Sequence, residues 1–304
     1  MASEGLQFQW VTKAMNRNPL SCPNPRSRYL NLGCGSRFHL GWENVDMYPY
    51  GPGVRVHDLT KRTPYDDETF DVVYHSHVLE HFPRRQALSF LQECRRILKS
   101  GGVVRVVVPD LERITRLYIE SLEKASTDVP GWADNYEWMV IEMYDQAVRE
   151  ETCGALTEYF KRDPLPNWDF VSGRMGAYGD SSRKTLVDMV QRSKTVASRP
   201  KLAWGYLFRN AGKVFRNKLL KFLLKEQGWE ALQVGQFRRG GEVHMWMYDR
   251  YSLAKLLHFV GFIQVQQVGP AESRIPDWPA FCLDTEPDGR TYKADSMYME
   301  ASKP

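Results

Sequence analysis

The sequence has no apolar run as long as a membrane span, so no segment is read as crossing a bilayer. Met1 to Trp10 is mixed and polar and has no basic-then-apolar signal pattern. Cysteine is scarce. The five residues Cys22, Cys34, Cys94, Cys153 and Cys282 are odd in number and share no paired spacing. That excludes a disulfide framework and points to a reducing, cytoplasmic setting. No internal repeat is found, which excludes a solenoid or propeller. A net charge of +4 on 304 residues is too small to make the whole chain a polycation.

The apolar share of 42% is enough for a real core, and the length allows one large domain with an insertion or two domains. The chain is organised around Tyr29-Leu30-Asn31-Leu32-Gly33-Cys34-Gly35-Ser36. A short apolar run that stops in a glycine pair is how a buried parallel strand ends in a tight turn beneath a ligand. Glycine pairs also end ordinary strands, so the stretch alone does not decide.

Trp42 to Asp46, Val54 to Asp58 and Phe70 to His75 read as further strands, the first two each ending in a carboxylate. Arg84 to Lys99 is striped by Leu88, Leu91, Cys94, Ile97 and Leu98 and reads as a helix stopped by Gly101-Gly102. Val103 to Val108 is a nearly continuous valine strand, as in the middle of a parallel sheet. From Leu111 to about Gly241 the period turns helical, with a stripe of Trp132, Tyr136, Met139, Val140, Met143, Tyr144 and Ala147 that is read as packing. Residues 163–182 read as a loop. The α/β pattern resumes with a helix from Tyr251 to Val260, stopped by Gly261, and strands at Phe262 to Val268 and Ser296 to Ala301, read as an antiparallel pair at one sheet edge.

The fold expected is therefore α/β: a Rossmann-like doubly wound sheet, mostly parallel with an antiparallel edge strand, plus a large helical insertion. Residues 1–28 form an N-terminal helix and linker, 29–110 with 242–304 the cofactor-binding core, and 111–241 the insertion.

In such a sheet the strand ends line one crevice. A carboxylate after the second strand can accept both ribose hydroxyls, and one after the third can accept an adenine amine. A dinucleotide needs a third glycine to seat its pyrophosphate, but Phe38 stands there. The pattern favours an adenosine ligand without phosphates.

The chain resembles the class I S-adenosylmethionine-dependent methyltransferases, in particular the type 11 group. The residues that carry the resemblance are Leu30 to Gly35, Asn44-Val45-Asp46, His57-Asp58-Leu59, Phe70 to Val73, Val78-Leu79-Glu80-His81 and Leu98 to Gly102. It covers about residues 29–110 and, more weakly, 250–300. It implies S-adenosyl-L-methionine as cofactor, with S-adenosyl-L-homocysteine as product. Implied contacts are Gly33 and Gly35 with the methionine part, Asp46 with the ribose and Asp58 with the adenine, with His75 and Ser76 flanking and Asn31, Cys34, Met47 and Leu59 also lining the cofactor. The family usually has an acid where Asn31 stands and often a third glycine where Arg37 stands. The stretches Ser273 to Trp278 and Leu283 to Gly289 look like a bacterial subgroup associated with glycosyltransferases and surface polysaccharide synthesis, which is analogy only.

His75, His77 and His81 crowd one strand end, and strand alternation puts His75 and His77 on one side. Their spacing is read as lacking the acid of a metal site, so no metal is expected. Methyl transfer to oxygen must also remove a proton, and a neutral histidine can take it. His77 is the first candidate base and His244 the second. The alternative for His244 is that it only ties the insertion down, with Asp249 capping the next helix.

Arg183 to Lys225 holds twelve Lys and Arg against Asp188 alone, so the positive charge is local. Lys218, Lys221 and Lys225 share one helical face and Phe215, Leu219, Phe222 and Leu223 another. Such a helix can lie on an anionic membrane or grip an anionic substrate, or it can be a lid with a solvated lysine face.

The function expected is O-methylation of a sugar hydroxyl on a glycan or glycolipid precursor, in the cytoplasm and peripheral to the membrane, in association with glycosyltransferases. Rival readings are methylation of a quinone or other small molecule, an RNA-binding methyltransferase, and a non-catalytic cofactor-binding scaffold. Nucleic acid is disfavoured because the aromatics look buried at helical spacing rather than interleaved with Arg.

Overall fold

The computed structural model describes residues 28–152, 154–195 and 203–304. The expected N-terminal helix lies outside the described residues. Seven strands form one sheet: β1 (Tyr29–Leu32), β2 (Glu43–Asp46), β3 (Val54–Val56), β4 (Phe70–Ser76), β5 (Leu98–Pro109), β6 (Ile263–Val268) and β7 (Ser296–Ser302). Their spatial order is β3-β2-β1-β4-β5-β7-β6. The order reverses beside β1, which is where a doubly wound sheet opens a ligand crevice. β1 to β5 pair parallel, and β7 runs antiparallel to both β5 and β6. The mostly parallel, Rossmann-like sheet with antiparallel pairing at one edge agrees with the expectation.

One face of the sheet packs Leu30, Leu32, Val73, Val104 and Val106 against α1 (Arg84–Ile97) and α8 (Arg250–Val260). The other packs Tyr29, Trp42, Tyr74 and Val107 against Ile275, Trp278, Phe281 and Leu283 of the C-terminal tail. Asp249 caps α8 with a reciprocal box to Ser252, and Gly261 closes it in the left-handed region at φ 95°.

Several element boundaries differ from the sequence reading. α1 ends at Leu98, whose extended backbone opens β5, so Gly101-Gly102 does not stop the helix. Instead Gly102 lies inside β5, where an added Cβ would meet the Asp71 carbonyl at 3.0 Å. β3 ends at Val56, and Asp58 lies beyond the ladder. Residues 163–182 are largely helical, not a loop: α5 (Trp168–Met175) and α6 (Ala177–Thr195) meet at Gly176, at φ 66°.

Between β5 and α8 the chain is helical: α2 (Leu111–Ser126), α3 (Trp132–Val148), α4 (Gly154–Phe160), α5, α6 and α7 (Ala203–Arg238). Ile114, Trp138, Met139, Tyr159, Phe160, Leu165 and Val171 form a second core there. Trp138 and Met139 are its centre on α3, whereas Tyr144 of the expected stripe is exposed.

Candidate functional site

β1 stops because Gly33 and Gly35 both adopt positive φ, 66° and 54°. The turn is pinned to β2, since Gly33 and Cys34 both donate their N–H to the Val45 carbonyl. Asp46, at the end of β2, reaches across and accepts from the Gly35 N–H at 2.8 Å and from the Tyr48 N–H at 3.1 Å. Burial raises its pKa, and these backbone donors oppose that rise. The Cys34 thiol is pushed up to about 12 by burial and then by the Asp46 charge, so it stays protonated at neutral pH. Asn31 is buried and donates its amide to the Arg37 carbonyl at 3.3 Å, which braces the loop from beneath.

The two glycines differ in their surroundings. A Cβ at Gly33 would lie 2.3 Å from Val78 Cγ2, so the turn rests on the start of the next helical segment. A Cβ at Gly35 would meet none of the described residues within 4 Å. Among the described residues, space is therefore open over Gly35, beside a carboxylate with lone pairs to spare. This is a cradle that fits an adenosine-type cofactor.

The C-terminal tail packs on the segment that follows the turn. Arg37 donates to the carbonyls of Leu283 and Thr285 and pairs with Glu286, each at 2.8 Å. Its guanidinium lies 3.5 Å from the centre of the Tyr292 ring. The α5–α6 junction docks on the same tail, with Ala177 and Tyr178 donating to the carbonyls of Thr291 and Tyr292.

Asp58 is partly exposed and accepts from the Thr60 N–H and hydroxyl, with Lys61 at 3.3 Å. The Thr60 hydrogen bonds hold its carboxyl below the ordinary value. Leu59 packs on the main core, Met47 is exposed at the mouth, and Ser76 ends β4.

His75 and His77 do not share a face. His75 is buried against the Phe90 ring, and burial lowers its pKa to about 3. His77 lies one residue past β4 at φ 54°, where strand alternation no longer applies. Its Nε2 contacts Ser296 Oγ at 2.8 Å and its Nδ1 lies 3.1 Å from Glu80 Oε1. Burial, reinforced by Lys293, lowers its pKa to about 3. His244 is buried beside His81, with ring centres 4.9 Å apart, and burial holds its pKa well below the ordinary value. A general base works best with a pKa near the working pH. His77 thus sits between Ser296 and Glu80, and His244 beside His81.

The histidine spacing was read as lacking an acid. The structure corrects this: Glu80, between His77 and His81 in sequence, turns its carboxylate into the group. Glu80, Arg37 and Lys293 are the site residues that sequence reasoning left without a role. Glu80 had a readable signal, since it stands three residues after His77 and directly before His81.

Residues 42–106 match a family model described as a methyltransferase domain. None of the curated proteins matches the chain. Among solved structures, a Pyrococcus horikoshii OT3 protein is similar at 24% identity over 30% of this chain and 54% of its own, with a TM-score of 0.26. The chain thus spans about half the length of that protein. An Archaeoglobus fulgidus SAM-dependent methyltransferase is similar at 12% identity over 91% of this chain and 86% of its own, with a TM-score of 0.36. A Haloferax volcanii putative methyltransferase, solved with the Trm112 activator, gives 11% identity over 96% of this chain and 87% of the other, with a TM-score of 0.37. At such scores the overlays add nothing to what the sheet order already shows. Residues 42–106, which match the methyltransferase-domain model, thus lie on a Rossmann-like sheet.

Proposed function

We propose that the protein methylates a hydroxyl oxygen, and that its acceptor is a sugar hydroxyl on a glycan or glycolipid precursor. The observation that carries the donor half is the Gly33–Gly35 turn clamped to Asp46 beneath open space. Bound there, S-adenosylmethionine supplies a methyl carbon on a sulfonium, ready for attack by an acceptor oxygen. Asp46 would accept from the ribose hydroxyls and Asp58 from the adenine amine. Asn31, Gly33, Cys34 and Gly35 form the methionine side.

The acceptor half is supported by the mouth of the crevice. Tyr48 and Tyr50 meet edge to face at 6.4 Å and are both exposed, next to Asp46. Trp246 is exposed too, with the Arg84 guanidinium 4.6 Å from its ring centre. Rings with a polar tip and a flat face suit a hydroxyl-rich acceptor better than a long apolar tail. Holding the acceptor oxygen in line supplies most of the acceleration. The acceptor's proton passes to solvent.

The reading is tested with methyl-labelled S-adenosylmethionine and separated cell fractions: polysaccharide and lipid-linked glycan, quinone lipid, and RNA. Label in the glycan fraction is the expected result. Label in quinone or RNA overturns the acceptor while leaving the donor. Calorimetry that shows neither S-adenosylmethionine nor S-adenosylhomocysteine binding overturns the donor as well.

A further inference from the structure

The turn after β4 and the segment that returns from the helical region to the sheet are joined at one residue. The Glu80 carbonyl accepts from the N–H groups of both Met245 and Trp246, at 2.7 and 3.1 Å. Above this joint, Glu80, His81 and His244 each bring one donor atom to within 4.8 Å of the other two.

The Glu80 side chain is 1% exposed, and among the described residues neither oxygen makes a well-directed hydrogen bond, although His77 faces one of them. Its closest polar neighbours are His77 Nδ1 at 3.1 Å and His244 Nε2 at 4.0 Å from Oε1. A buried carboxylate without partners costs several kcal/mol unless something answers its charge.

The histidines are set up to answer it through a shared ion. His81 Nδ1 lies 3.2 Å from the Val243 carbonyl, which can only accept, so Nδ1 carries the proton and Nε2 is left with its lone pair. A ring nitrogen donating to a backbone carbonyl is the usual outer support of a metal-bound imidazole. Burial also favours the neutral form of both His81 and His244.

We propose that Glu80, His81 and His244 form a binding site for a divalent transition-metal ion. Two imidazoles and one carboxylate, tetrahedral and with one open position, suit zinc best. Bonds of roughly 2.1 Å put donors about 3.4 Å apart, so the three groups need close by at most about 1.4 Å. The ion would staple the β4 turn to the returning segment. The inference does not depend on which acceptor is methylated.

Lys293 is the competing source of positive charge. It is half-buried, and its charge acts on Glu80, His77, His81 and His244 alike. Either a metal ion completes the site or Lys293 alone balances Glu80.

The test uses the full chain, stripped with a chelator, dialysed and titrated with Zn²⁺ alone. The expected results are one equivalent bound and a rise in unfolding temperature. Glu80→Gln and His244→Gln should each weaken binding by more than the roughly 10- to 100-fold that losing an outer partner costs. His258→Gln, remote from the cluster, should leave it unchanged. Should either variant fail to fold, Co²⁺ added to the wild-type chain decides, because a four-coordinate imidazole–carboxylate site gives intense visible bands. No saturable Zn²⁺ binding, only weak octahedral Co²⁺ bands, or binding that survives both variants overturns the proposal and leaves Lys293 as the charge that answers Glu80.

Discussion

Gly33 and Gly35 are two residues apart, both lie at positive φ, and do different work. At Gly33 a methyl group would collide with Val78, a buried residue with no room to retreat. At Gly35 the same methyl would project into open space over the turn. Gly33→Ala is therefore expected to lower stability by several kcal/mol, combining steric overlap with the 1–2 kcal/mol of a left-handed non-glycine residue. Gly35→Ala should cost only about the latter, yet weaken S-adenosylhomocysteine binding by roughly tenfold or more through crowding. Chemical denaturation and calorimetry on the two variants check the split. Equal stability losses with unchanged affinity in both would remove Gly35 from the cofactor wall. The glycine pair and Asp46 were legible as strand ends, because a buried strand that stops in a tight turn needs positive φ and a polar residue where it leaves the sheet. Arg37 was not. Its partners lie some 250 positions away, and local spacing carries no trace of them.

At the scale of elements, the buried parallel strands were legible because apolar runs bounded by turns have few other readings. The boundary of α1 was not, because Gly101-Gly102 offered a local stop while β5 pairing with β4 drew Leu98 into the sheet. Residues 163–182 misled for the same reason in reverse. Proline, glycine and serine suggested a loop, but Val171 and Met175 are buried in the second core and hold α5 as a helix. Tertiary packing overrode local propensity in both places. α7 is where exposure itself argues. Its backbone breaks at Lys225, with φ 57°, so two helical segments meet there. Before the break Leu219, Phe222 and Leu223 are exposed, Phe222 at 82%, alongside exposed Lys218 and Lys221. The Phe215 side chain lies outside the described residues. We propose that this face rests on an anionic lipid surface, with Leu219, Phe222 and Leu223 inward and lysines toward the head groups. Binding to phosphatidylserine vesicles should fall as salt rises, with about 1 kcal/mol per basic residue near the surface. Lys218, Lys221 and Lys225 changed together to Glu should abolish it without altering S-adenosylhomocysteine affinity. Wild-type protein that ignores the vesicles at low salt would make α7 a lid or a contact between chains.

At the scale of the whole molecule, one arginine joins sheet to tail. Arg105, in the middle of β5, is fully buried. All five of its N–H groups are used: Nε to Asp284, one terminal nitrogen to Glu300 and the Glu272 carbonyl, the other to the carbonyls of Gly269 and Pro270. Asp284 takes its second bond from the Tyr74 hydroxyl at 2.6 Å, and Glu300 is completed by Ser273 and the Arg274 N–H. Trp278 closes the group, its ring centre 4.5 Å from the guanidinium. A buried network satisfied this fully is expensive to open, because each lost bond strands a charge in the interior. Arg105→Met would leave Asp284 buried without its adjacent cation and Glu300 with Arg274 alone, at a cost of roughly 3–5 kcal/mol. Because Asp284 lies one residue beyond Leu283, whose carbonyl Arg37 holds, the same change should loosen the wall of the crevice and weaken cofactor binding. Arg37→Ala should separate the two effects. Arg37 touches the tail from the crevice side only, so its loss should reduce affinity while moving the denaturation midpoint far less than Arg105→Met. If Arg37→Ala unfolds the chain as readily, or Arg105→Met leaves affinity intact, the tail is a structural brace and not a wall of the cofactor site.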